Sequence, residues 1–245
     1  MTLLPILGAL LIGLSLGLTG AGGSIITLPV LVYLANVAPR VAVPMSLIIV
    51  GAAAATGAIQ RMASREICLT TAVIFALSGM IGAGLGAPLT HLVSPRVLMI
   101  IFAGLMLFVA VRMFRSAGEA PQAETKSWQA KASAGLAVGV LTGFIGVGGG
   151  FLLVPALVRF AGLKHREAVG SSLAIIFFNC LSGLLFHLGH ASVDWKLAAF
   201  FTVLACLGVV VGSHFASKVP TRHLRRIFAW MVVFTGIFVL WRNLG

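Results

Sequence analysis

Acidic side chains are nearly missing: there are five in 245 residues, Glu66, Glu119, Glu124, Glu167 and Asp194. All five fall between long apolar stretches or at their ends, so no carboxylate is offered within one. Carriers of cations generally need such a group inside the membrane. Charge of either sign makes up only 9% of the chain, whereas a soluble domain carries about a quarter. The three cysteines, Cys68, Cys180 and Cys206, show neither disulfide-framework nor metal-ligand spacing and read as small apolar packing residues. The zinc-protease pattern HExxH, the serine elbow and the lysine that closes a phosphate loop do not occur either. With no nucleophile set beside a base, an intramembrane enzyme has no support, and nothing calls for a cofactor or a metal.

What the chain has instead is apolar length. Hydrophobic residues make up 60% of it and the mean hydropathy is +1.11. The runs 69–88, 97–111 and 197–212 are nearly free of charge, close to the ~20 residues that cross a bilayer. The reading is an all-α polytopic membrane protein whose first partner is the lipid bilayer. The N-terminal stretch has no basic flank and no cleavage motif, and is expected to be retained. The net charge of +12 sits in short clusters between apolar runs, such as "KHRE" at 164–167 and "RHLRR" at 222–226. Clusters so placed orient a protein in a membrane. Without aromatic interleaving they do not indicate a nucleic-acid partner.

The chain is duplicated. "GLTGAGGSIITLPVL" (17–31) returns as "GFIGVGGGFLLVPAL" (143–157). With one offset of 126, Gly13, Gly17, Gly20, Gly22, Gly23 and Pro29 fall on Gly139, Gly143, Gly146, Gly148, Gly149 and Pro155. The same offset places Arg40, Ser46, Leu47 and Gly57 on Arg166, Ser172, Leu173 and Gly183. It still places Gly82, Gly86, Arg96 and Leu98 on Gly208, Gly212, Arg222 and Leu224. The domains are therefore repeat 1 (1–114), a polar linker (115–132) and repeat 2 (133–245). Each repeat reads as a glycine-interrupted segment (3–35; 133–161) and three spans. These lie near 44–60, 67–91 and 96–114, then near 169–188, 195–213 and 223–242.

The interrupted segment can be threaded straight through or folded back on itself. Straight threading divides the 17 Lys and Arg residues nine to eight. Fold-back threading leaves only Arg40, Arg96, Lys196 and Arg242 on one side and the other thirteen opposite, which satisfies the positive-inside rule. The expectation is two inverted repeats, each a re-entrant hairpin plus three transmembrane helices, with both termini periplasmic. The arms 3–16 and 25–35 would be about 21 Å and 16 Å long, too short for a hydrocarbon core of ~30 Å. The hairpin tips would then meet near mid-membrane.

After each glycine cluster a helix begins, so unpaired N–H groups and the positive end of a dipole point into the tip. Glycine lets a ligand approach that backbone, and two such starts would form an anion site. The candidate binding residues at the tips are Thr19, Gly20, Gly22, Gly23 and Ser24, with Gly146, Gly148, Gly149 and Gly150. Close helix packing is the alternative role for these glycines. On the following helix Ser172, Asn179 and Ser182 share a face, and their counterparts are Ser46, Ala53 and Thr56. Ser46, Thr56, Ser172, Asn179 and Ser182 join the candidates, with interhelical hydrogen bonding as the alternative. Gly82, Gly86, Gly208 and Gly212 read as packing glycines. His187 takes the place of Arg61 at the membrane border, where a coupling role is open to either.

The duplicated glycine motif, followed by "RVAVPMSL" and "REAVGSSL", resembles the TauE/SafE sulfite exporter family over both repeats. The resemblance implies a bacterial inner-membrane secondary transporter of small sulfur-containing anions such as sulfite or organosulfonates, usually outward. An anion channel, or a carrier of another small organic anion such as a carboxylate, is the alternative, and a homo-oligomer is open.

Overall fold

The computed structural model describes residues 3–115, 127–145, 150–187, 193–216, 218–219 and 221–244. Among them there are ten α-helices and no strand. Repeat 1 contributes α1 (Leu3–Thr19), α2 (Gly22–Pro29), α3 (Pro39–Ala63), α4 (Leu69–Gly86) and α5 (Pro95–Arg115). Repeat 2 contributes α6 (Trp128–Ile145), α7 (Gly150–Ala161), α8 (His165–His187), α9 (Trp195–Ala216) and α10 (Thr221–Leu244). α3, α5, α9 and α10 run beyond their expected limits and α8 starts earlier, whereas α4 falls inside its expected interval, and α6 starts inside the interval read as linker. Five helices, α3, α4, α8, α9 and α10, are long and apolar enough to cross a membrane. The apolar stretch of α5 spans Pro95–Val111.

Helices 1 and 2 fold back on each other. A Cβ built on Gly8 would stand 2.8 Å from Val30 Cγ1, and one on Gly23 would stand 2.7 Å from Leu16 Cβ. Early residues of α1 therefore meet late residues of α2, which is antiparallel packing. The turn needs Gly20, whose φ of +70° suits a residue without Cβ. Past Pro29 the helix widens into a π-helical turn, Val30–Leu34, closed by Ala35 N–H on the Val30 carbonyl at 3.0 Å. Proline lacks an N–H and its ring crowds the preceding turn, so the wider turn relieves the strain without ending the helix. α1 is longer than expected, 17 residues or about 26 Å.

The two halves interleave. α1 packs on α9, and its counterpart α6 packs on α4. α3 and α8 pack on each other, as do α5 and α10, and α2 and α7. Each pairing is thus matched by its own copy. Gly57 lies against Leu173, Gly51 against Cys180 and Gly183 against Leu47, so the equivalent helices α3 and α8 run antiparallel. Glycines let α4 and α6 approach backbone to backbone: a Cβ on Gly82 would stand 2.8 Å from Val140 N, and one on Gly139 would stand 2.7 Å from Gly79 Cα. That is the packing expected of Gly82 and Gly86, with partners drawn from the other half of the chain.

The opposite face of α4 is a stripe, Leu69, Val73, Leu77, Ile81 and Leu85, each more than half exposed. Residues four apart share one side of a helix, and a continuous apolar stripe of this length belongs against lipid chains.

Candidate functional site

The hairpin tip of repeat 1 is built by short polar side chains turned back on their own backbone. Thr19 Oγ1 donates to the Ser15 carbonyl (2.8 Å) and accepts the Gly22 N–H (2.8 Å) and, more distantly, that of Ala21 (3.4 Å). One residue thereby ends α1 and caps α2, taking up an N–H that the new helix leaves unpaired. Ser24 donates to the Ala21 carbonyl and Thr27 to that of Gly23. Thr19, Gly20, Gly22, Gly23 and Ser24 are all buried.

Helix α8 closes over this tip. Ser172 Oγ lies 3.0 Å from the Gly20 carbonyl, to which it donates across the two halves, and 2.8 Å from that of Val169. The start of α7 reaches the same place: a Cβ on Gly150 would stand 2.9 Å from Ser24 Oγ, 2.8 Å from Ile176 Cδ1 and 3.3 Å from Ala21 Cα. Gly150 and Ser24 are equivalent under the duplication, so the two half-helices meet start to start. Of the expected residues the fold thus gathers Thr19, Gly20, Gly22, Gly23, Ser24, Gly150 and Ser172. Gly146, Gly148 and Gly149 lie outside the described residues.

The remaining candidates sit along α3 and α8. Ser46 is wholly buried with its hydroxyl 2.8 Å from the Val43 carbonyl. Thr56 donates to the Ala52 carbonyl and lies 3.4 Å from Cys206 Sγ on α9, while Ser182 donates to the Met80 carbonyl on α4. Met80 and Cys206 are equivalent positions, so the two hydroxyls tie matching helices. Asn179 is different. It is wholly buried, and neither amide atom has a hydrogen-bond partner, at a cost of about 1–3 kcal/mol.

One buried group exceeds what the border position suggests. Arg61 is only 9% exposed; it donates from Nη1 to Glu66 and from Nη2 to the Gly17 carbonyl at 3.2 Å. That carbonyl is at the last turn of α1, where carbonyls lack intrahelical partners and a cation is favoured. At the end of α6 the same duty falls to Thr90 of repeat 1, whose hydroxyl donates to the Phe144 carbonyl at 2.6 Å. The sequence signal for Arg61 was Glu66, the one acid close behind it. Arg61, Glu66, His165 and Arg166 line a cavity of about 20 Å³ that reaches Leu18 beside the tip, room for a water molecule. A larger recess of about 380 Å³ lies where Tyr33, Arg96, Arg242 and Asn243 meet, again rich in guanidinium.

The family model "Sulfite exporter TauE/SafE" matches residues 5–239. The chain belongs to the TauE/SafE family. It is 34% identical over 241 residues to a probable membrane transporter protein of Xylella fastidiosa (strain 9a5c), covering 95% of this chain and 92% of that one. It is 23% identical over 268 residues to the probable membrane transporter protein YunE of Bacillus subtilis (strain 168), covering 99% and 98%. A probable membrane transporter protein of Haemophilus influenzae is 28% identical over 264 residues, with 96% of each chain covered. No solved structure matches. The TauE/SafE chain described here is accordingly a multi-pass membrane transporter and not an enzyme.

Proposed function

We propose that this protein carries small sulfur-containing oxyanions, sulfite or organosulfonates, outward across a bacterial inner membrane, by alternating access around the two hairpin tips. The observation that carries the reading is the start-to-start meeting of α2 and α7 at Ser24 and Gly150. Each helix start is equivalent to about half a positive charge, so two together offset roughly one anionic charge without a fixed cation. Thr19 takes up the Gly22 N–H, leaving those of Gly23 and Ser24, with that of Gly150 at the start of α7, as donors to cargo. Ser172 flanks them, with its hydroxyl on the Gly20 carbonyl. Hydroxyls and backbone amides bind an anion less tightly than a buried arginine, which suits a carrier that must also release it.

The two repeats are inverted in this reading, and both termini are periplasmic. Its support is the antiparallel run of α3 against α8, together with the fold-back of α1 and α2. The buried tip then corresponds to an occluded state. The small cavity at Arg61, Glu66, His165 and Arg166 lies on its cytoplasmic side in this reading.

Counterflow tests the reading. Proteoliposomes preloaded with unlabelled sulfite should take up labelled sulfite faster than empty ones. Equal rates would indicate a channel, and no uptake of any sulfur oxyanion would remove the cargo assignment.

A further inference from the structure

The duplication supplies an internal control for Asn179. Its counterpart in repeat 1 is Ala53, and Asn179 lies against Gly79, whose counterpart is Ala205. A Cβ on Gly79 would stand 2.8 Å from Asn179 Nδ2 and closer still to Oδ1, so an alanine there would push the carboxamide out of its present place. Ala53 and Ala205, both wholly buried, show what packing alone takes at this place in the fold: two methyl groups. The Asn179–Gly79 contact differs from that pair at both places, one residue larger and the other smaller, and so admits a carboxamide. That carboxamide is then left with no partner at either atom. Its neighbours on α8 differ: the Ser171 hydroxyl accepts the Cys68 N–H, and the Ser172 and Ser182 hydroxyls donate to carbonyls.

We propose that the Asn179 carboxamide is a cargo-binding group, donating its two N–H bonds to the oxygens of a small oxyanion, with Gly79 present to make room for it. This rests on the anion-carrier reading and makes the site one-sided, since repeat 1 offers only the Ala53 methyl. A polar group buried and unpaired in a bilayer is costly, and such groups mark transport pathways. An amide is neutral, so it selects for atoms that accept hydrogen bonds without holding the anion by charge.

Two variants separate binding from packing. Asn179→Ala with Gly79→Ala rebuilds the equivalent pair, Ala53 and Ala205, and Asn179→Leu keeps the volume while removing the amide. Both should be at least as heat-stable as the wild type, because an unpaired polar group gives way to apolar ones. In both, the rise in midpoint produced by sulfite should shrink and KM for sulfite transport should increase at least about tenfold, as expected when hydrogen bonds to a charge are lost. Unchanged KM and an unchanged sulfite response in the double variant overturn this inference alone. Lower stability with unchanged KM does the same, by assigning the amide to packing. A wild type stabilised by no sulfur oxyanion overturns the carrier reading and this inference together.

Discussion

Gly150 and Ser24 hold equivalent places in the two repeats and touch: a Cβ on Gly150 would stand 2.9 Å from the Ser24 hydroxyl. The atoms nearest that Cβ are ends of side chains, Ser24 Oγ and Ile176 Cδ1, which can rotate away. Gly150→Ala should therefore fold and insert normally. It should still cut transport severalfold, because the methyl group stands where the two helix starts face each other. Gly23→Ala should behave differently. Its Cβ would stand 2.7 Å from Leu16 Cβ and closer to the Ile12 carbonyl, atoms fixed by α1, so overpacking of about 1–3 kcal/mol should lower the thermal midpoint. Measuring midpoint and transport in both variants checks the contrast. A Gly150→Ala protein that transports at the wild-type rate would assign Gly150 to packing only.

Thr19 links the two arms through one hydroxyl, as donor to Ser15 and acceptor from Gly22. Thr19→Val keeps the shape and loses both bonds, and should lower stability by about 1 kcal/mol, the usual worth of a hydrogen bond. Thr19→Ser should keep most of it. Thermal denaturation in detergent decides, and equal midpoints for the valine and serine variants would deny the cap its role.

Arg61 and Glu66 form an ion pair whose side chains are 10% and 23% exposed. Arg61→Gln strands the carboxylate and takes a donor from the Gly17 carbonyl, so a loss of about 1–3 kcal/mol is expected, between the values for exposed and fully buried pairs. Arg61→Gln with Glu66→Gln should recover part of it, since no lone charge is left buried. The four-member cycle of midpoints measures the coupling. A zero coupling term would mean that Arg61 acts through Gly17 alone.

The fold-back of α1 on α2 was legible because a glycine cluster between arms too short for the bilayer leaves little else for the chain to do. The partnering of α1 with α9 and of α4 with α6 was not. Helices apolar on every side carry no periodicity to say which neighbour they meet, and in lipid it is small-residue contact that decides. Gly82, Gly86, Gly208 and Gly212 marked such contacts without naming their partners. Arg61 read as a border residue because a cation at a span end usually snorkels to water. Its burial follows from Glu66 and the α1 carbonyl, and only the second is invisible in sequence. Asn179 was visible as an exchange for Ala53, but the matching exchange of Ala205 for Gly79 has meaning only once α8 is seen against α4.

The membrane orientation yields the sharpest test of the threading. Three crossings per repeat place the linker at 115–132 on the opposite side from the C-terminus, whereas four place them together. Thirteen of 17 basic residues then lie on the linker side, which is the cytoplasmic one. Alkaline phosphatase needs disulfides that form only in the periplasm, so its fusion after Leu244 should be active. A green fluorescent protein inserted in the linker should fluoresce. Phosphatase activity at both positions would mean an even number of crossings, and the hairpins could not then enter from opposite leaflets. With that the two helix starts would no longer present one site to both sides, and alternating access around Ser24 and Gly150 would fail with it.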